Sequence, residues 1–299
     1  MHTMSWLFFA LAGMTIWSAT AVADRYFLLN VRSPRFYVIV PCLLQLPLML
    51  LVLSFFGLQQ IDAFTLGVGV MSGVLEAAIL YYLFVAISSE EVSRVFPLTG
   101  LGPMLTMLFA WLVWNDSPTH IQFFALILFM IGGIVLSFKR SGDRFKASRA
   151  LMPIALGSLL TSAFMLSLSF SIANTDFWTG FFYSRIGFFL AGAVIAITWR
   201  SELSRQWRAL SSGLRTGIIT NQVVAFSGHI FYFFSLSLAS PALVQATLSM
   251  QSGIIFMIAL LVSFLNPGLL EESMERRDIL QKIIGIIFAI AATYLLAIA

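Results

Sequence analysis

Ten stretches of mostly apolar residues, separated by short polar breaks, run through the chain: 5–23, 36–56, 64–86, 92–114, 119–138, 152–172, 177–199, 215–238, 242–265 and 279–298. Each is close to the ~20 apolar residues a helix needs to cross a bilayer. The breaks carry turn chemistry or charge, as in RSPR at 32–35, NDSP at 115–118, KRSGDR at 139–144 and NPG at 266–268. No soluble domain fits between spans, and the longest polar connections, 139–151 and 200–214, read as short amphipathic or basic linkers. The first span has no basic stretch before it and no cleavage-site pattern after it, so it is expected to be retained.

The two halves share a layout. Spans three and four meet at a tight break after YYLF (81–84), and spans eight and nine at one after FYFF (231–234), an offset of 150 residues. At that offset Arg35 matches Arg185, Gly67 matches Gly217, Tyr82 matches Tyr232 and Met107 matches Met257. Five spans per half is odd, so a duplicated half must enter the membrane from the other side, the inverted repeat of many secondary transporters. The expected fold is therefore all-α and integral to the membrane, with ten transmembrane helices in two inverted five-helix repeats, 5–138 and 152–298.

Composition agrees with this pattern and narrows the function. Of 299 residues 60% are hydrophobic and only 10% charged, with a mean hydropathy of +0.95, against roughly 25% charged in soluble domains. A lone cysteine, Cys42, excludes a disulfide within the chain and a cysteine-built zinc site. Metalloprotease, nucleophile-elbow and phosphate-loop signatures are missing, so no enzyme, cofactor or metal is expected. Sixteen of the 17 basic residues fall on one side of the ten-span topology and Arg185 alone on the other. By the positive-inside rule both termini face away from the cytoplasm, in a bacterial-type inner membrane, and the net charge of +4 reports topology, not nucleic-acid binding.

Glu76 in span three is the residue that calls for explanation. A carboxylate at mid-bilayer depth costs at least ~2.5–3.5 kcal/mol and marks a substrate or proton pathway with a partner elsewhere in the bundle. His229 in span eight aligns with position 79, on the same helical face as Glu76. The two would face one central cavity and could bind and release a proton; the plainer alternative has Glu76 satisfied by Ser72 or Tyr82 and His229 by a backbone carbonyl. Trp17, Tyr82 and Tyr232 are candidate cavity walls, or ordinary packing. Arg94 either snorkels or meets an anionic group. Gln45, Asn221, Gln222, Gln245 and Gln251 are interhelical amides, with Gln245 and Gln251 the better cavity candidates. Pro97 and Pro103 bend span four, which suits a cavity wall. Gly67, Gly69 and Gly73 form a small-residue stripe for close helix packing.

Ile16-Trp17-Ser18, Arg35 at the start of span two, the run SSEEVSRVFPLTGLGPMLTMLFAWLVWND at 88–116 and its counterpart LASPALVQATLSMQSGIIFMIALLVSFLNPG at 238–268 resemble the drug/metabolite transporter superfamily, in its EamA-like ten-span form. The acid expected at the end of span four is displaced to Asp116, and Asn266-Pro267 replaces it in the second half. The resemblance implies a secondary active transporter working by alternating access, an exporter of a small polar metabolite such as an amino acid. It also implies termini in the cytoplasm, against the charge bias. Partners would be the solute, membrane lipid and a coupling proton, with the protein a monomer or homodimer. Carriage of a nucleotide- or lipid-linked sugar through Arg94 and Arg185 is the alternative, and an intramembrane enzyme or complex subunit is the rival from another class.

Overall fold

The structure, a computed structural model, describes residues 5–31, 33–99, 101–102, 105, 119–141, 144–239, 244 and 247–298. Its helices are α1 (Ser5–Val31), α2 (Pro34–Leu53), α3 (Ala63–Ser89), α4 (Val92–Leu98), α5 (His120–Ser137), α6 (Leu151–Ala173), α7 (Phe177–Thr198), α8 (Arg200–Ala209), α9 (Ser212–Phe234), α10 (Leu248–Leu265) and α11 (Arg276–Ile298). A single turn of 3₁₀ helix (Ser235–Ser237) continues α9. A two-stranded antiparallel hairpin, β1 (Phe138–Ser141) with β2 (Arg144–Ala147), links α5 to α6 and pairs Phe138 with Ala147. Most of the expected fourth span, with Pro103, lies outside the described residues.

Among the described residues five helices, α1, α2, α3, α6 and α7, are long and apolar enough to cross a membrane. Their starts follow capping chemistry. Ser33 caps α2 with Pro34 in its first turn, where the missing N–H costs nothing. Asp62, Asp176 and Ser211 cap α3, α7 and α9 with side-chain oxygens. Large apolar side chains such as Phe55, Ile197, Phe264 and Leu265 stand out from the bundle, as a lipid-facing surface requires.

Two glycine-mediated crossings fix the centre. At the α3–α7 crossing, a Cβ on Gly73 would strike the Ser184 carbonyl, and one on Gly187 would strike Val70. At the α1–α9 crossing, a Cβ on Gly13 would lie 2.5 Å from Tyr232 N, and one on Gly228 would lie 2.7 Å from the Trp17 ring. Backbones can approach this closely only where side chains are absent. Of the expected small-residue stripe, Gly69 and Gly73 meet neighbours across helices, whereas nothing lies within 4 Å of a Cβ on Gly67.

Two expectations need correction. The first helix continues to Val31, so Asp24 and Arg25 are buried helical residues and not the start of a loop. Their charges are met inside the protein: Arg25 donates to the carbonyls of Ile87 (2.5 Å) and Leu270 (3.2 Å), and Asp24 accepts from Tyr37 Oη (2.6 Å). Arg185, counted with the outer-side charges, does not reach that surface. It lies within α7, fully buried.

The cap of α3 gives a pH test outside the membrane. Asp62 accepts from the backbone N–H groups of Phe64 (2.9 Å) and Thr65 (3.0 Å) and from the Thr65 hydroxyl (2.6 Å). The Thr65 hydroxyl, then these backbone donors, hold its carboxyl below the usual carboxylate range. A folded pKa below the unfolded one contributes stability above the unfolded value and loses it as pH falls through the folded value. Asp62→Ala is expected to lower the thermal midpoint at neutral pH, with the difference from wild type vanishing in acid below that range, as thermal unfolding in detergent at a series of pH values would record.

Candidate functional site

Glu76 sits one turn past Gly73, where α3 and α7 touch, and this places it against Arg185. The guanidinium makes a forked pair with both Glu76 oxygens; its Nη1 also donates to Gln45 Oε1, and its Nη2 to the Ser184 hydroxyl at 3.1 Å. The rings of Phe181 and Phe188 flank it, with Cζ 4.6 and 5.0 Å from their centroids. Taking two such ions out of water costs several kcal/mol each, and only good geometry with further hydrogen bonds offsets it. Both conditions are met here. The carboxylate is therefore a neutralised one, and its partner is the single basic residue that the charge count places on the outer side.

His229 completes the group from α9. Its Nε2 lies 3.1 Å from Glu76 Oε1, and its Nδ1 lies 2.8 Å from the Ala225 carbonyl. Trp17 Nε1 points at both His229 Nδ1 and Ala225 O, at 3.2 Å each. The 2.8 Å contact is met by an Nδ1–H that donates to Ala225 O, with Trp17 Nε1–H donating to that same carbonyl, and the 3.1 Å contact by an Nε2–H that donates to Glu76. Chain Trp17–His229–Glu76–Arg185 thus ties α1, α9, α3 and α7 together.

Beside this chain lies a cavity of about 200 Å³, enclosed by α1, α3, α4, α6, α9 and α10. Trp17, Asp24, Glu76, His229, Gln222 and Gln251 give it polar and aromatic surface, and Leu80, Leu83, Phe84, Ile154 and Phe233 give it apolar wall. Asp24, just past the end of the expected first span, is the lining residue that the sequence reading did not single out. Its Oδ1 accepts from Tyr37 Oη (2.6 Å), Asn221 Nδ2 (2.7 Å) and Gln222 Nε2 (3.1 Å). The available signal was its spacing: Trp17, Thr20 and Asp24 recur at helical intervals on one face.

The other candidates fall elsewhere. Tyr232 is buried behind Trp17, ring centroids 4.8 Å apart, and donates to the Val244 carbonyl at 3.0 Å. Tyr82 stacks at a tilt on Tyr81 and approaches Gly157. Neither lines the cavity. Arg94 is buried at the α3–α4 break, 3.9 Å from Asp278. There it belongs to a separate charged cluster, in which Lys282 bridges Glu91 (2.5 Å) and Glu272 (2.9 Å). Gln245 lies outside the described residues. Among the described residues no His, Cys, Asp and Glu cluster could hold a metal ion.

Apolar helices around a small polar cavity are the architecture of a multi-pass membrane protein. Residues 4–138 match the model of the EamA-like transporter family. Two relatives, both named probable glucose uptake protein GlcU, come from Bacillus cereus and Bacillus anthracis. Each is 26% identical over 246 residues, covering 78% of this chain and 79% of its own. A solved crystal structure superposes on 98% of this chain and 99% of its own, with a TM-score of 0.65 and 12% identity, which establishes a shared fold alone.

Breaking the central pair should be costly because it strands a buried charge. Arg185→Met is expected to destabilise the protein by ~3–5 kcal/mol, and adding Glu76→Gln should recover much of that loss. Urea unfolding in detergent would measure both; a double variant no more stable than Arg185→Met would mean that the two charges do not answer one another.

Proposed function

We propose that this protein is a secondary carrier of a small neutral polar solute, a monosaccharide such as glucose, moved inward by alternating access and coupled to protons. The observation that carries the proposal is the charge state of the cavity. Arg185 is committed to Glu76 and Gln45, and Arg94 lies with Asp278 at the far break. Among the described lining residues, none is a lysine or arginine. Phosphate or carboxylate groups need such cations, so the nucleotide-linked sugar and amino-acid readings are the weaker ones. A sugar needs the opposite set. Its hydroxyls donate to Asp24 and to the amide oxygens of Gln222 and Gln251, and its apolar face rests on Trp17. At about 200 Å³ the cavity is smaller than the ~300–1,000 Å³ of drug-sized pockets, which suits one small solute. The names of the relatives favour uptake over the export implied by the family resemblance.

Helix pairing supports two inverted five-helix repeats behind this cavity. Under the 150-residue offset, α1 pairs with α6 and α3 with α9, so the closely packed pairs α3–α6 and α1–α9 are images of one another. The pairs α2–α7 and α5–α11 map onto themselves. Such an arrangement places the solute between repeats near mid-membrane, where rocking of one against the other alternates access. The charge bias, with both termini away from the cytoplasm, is retained as part of the proposal; Arg25, Arg94, Arg185 and Lys282 are buried and drop out of it, and under the ten-span topology the remaining basic residues fall on one side. The same reading has no place for an enzyme reaction or a cofactor.

The purified protein in liposomes is expected to show saturable counterflow of labelled glucose. Trp17→Ala removes a ring contact worth about 0.5–1.5 kcal/mol and should raise the half-saturating glucose concentration several-fold. Counterflow of an amino acid with none of any monosaccharide would replace the sugar reading with the amino-acid one.

A further inference from the structure

We infer that Asp24, and not Glu76, carries the coupling proton; this deepens the carrier reading above and rests on it. Both carboxylates reach the cavity, but their partners differ in kind. Glu76 is fixed by a guanidinium, so protonating it would break an ion pair and leave Arg185 as an uncompensated buried cation. Among the described residues no cation pairs with Asp24. Its Oδ1 is held by a hydroxyl and two amide groups, all neutral.

That donor set suits both protonation states. As a carboxylate, Asp24 has its charge spread over three hydrogen bonds to one oxygen. As an acid it keeps Oδ1 as a carbonyl acceptor for the same three donors, while the proton sits on Oδ2. The proton comes from water on one side of the membrane and returns to water on the other, so no further reactant is needed. The charges on the neighbouring elements are already engaged: Arg25 with Ile87, Leu270 and Glu271, His229 with Glu76 on α9, and Arg94 toward Asp278 from α4. From α2 and α10 only the neutral Tyr37 and Gln251 are presented. Asn221 also donates to the Thr20 carbonyl (3.3 Å), and Gln222 approaches Tyr37 Oη (3.3 Å), so the cradle joins α1, α2 and α9. Its occupancy by a proton would thereby be felt where the two halves meet.

The test uses liposomes loaded with a pH-sensitive dye, labelled glucose, and the variants Asp24→Asn, Asp24→Glu and Glu76→Gln. Wild type is expected to acidify the lumen when glucose is added outside. Asp24→Asn should lose acidification to the level of empty vesicles, and Asp24→Glu should retain it. Acidification by Asp24→Asn at the wild-type rate would overturn the assignment. Wild-type glucose counterflow without acidification would also overturn it, and proton coupling with it, while leaving sugar carriage by alternating access standing. Where Asp24→Asn loses counterflow too, or wild type moves no glucose, infrared titration of purified protein decides. A carboxylic-acid carbonyl band that appears on acidification in wild type and Glu76→Gln but is missing in Asp24→Asn supports the assignment, and the same band in Asp24→Asn overturns it.

Discussion

The structure depends on one buried ion pair. An acid in the middle of a helix bundle is tolerable only if something answers its charge, and here Arg185 does so through a forked contact backed by Gln45 and Ser184. The pair can form because Gly73 and Gly187 let α3 and α7 come into backbone contact. Packing and electrostatics are thus the same constraint: a side chain at either glycine would separate the charges as well as the helices.

Neutralising Glu76 also determines what the cavity can hold. Two cancelled charges leave an environment that is polar, with no lysine or arginine among the described lining residues. Trp17 and His229 extend the pair toward the opposite side of the bundle, where the Gly13–Gly228 crossing holds α1 on α9. What remains titratable against neutral partners is Asp24, on the wall formed by α1. One carboxylate is thus paired with a guanidinium and a second is held by neutral donors alone, a difference that the proton-coupling proposal rests on.

Much of this was legible in the sequence, and the misses have physical causes. Apolar runs and their caps located α2, α3, α6 and α7 closely, because lipid exposure leaves a clear hydropathy signal. Glu76 and His229 could be placed on one cavity from helical periodicity and the internal offset. Asp24 and Arg25 fell outside the expected first span because a charge in an apolar sequence reads as the end of a span unless its partner is known; Arg185, inside the expected seventh span, was counted with the outer-side charges, and in each case the partners lie far away in sequence. Glu76 and Arg185 are 109 residues apart, and Asp24 and Gln222 are 198 apart. Tyr82 and Tyr232 matched across the halves, yet face away from the cavity, since an offset gives depth along a helix and not rotation about it.

The most direct measurement is cysteine accessibility in the cavity. The native Cys42 is buried, so Thr161→Cys, on the α6 wall, supplies a new thiol against a silent background. A membrane-impermeant thiol reagent is expected to label it in sealed vesicles, and glucose should slow that labelling. A thiol that stays unlabelled from both faces, or one labelled at the same rate with and without glucose or any other monosaccharide, would contradict a solute chamber at this place.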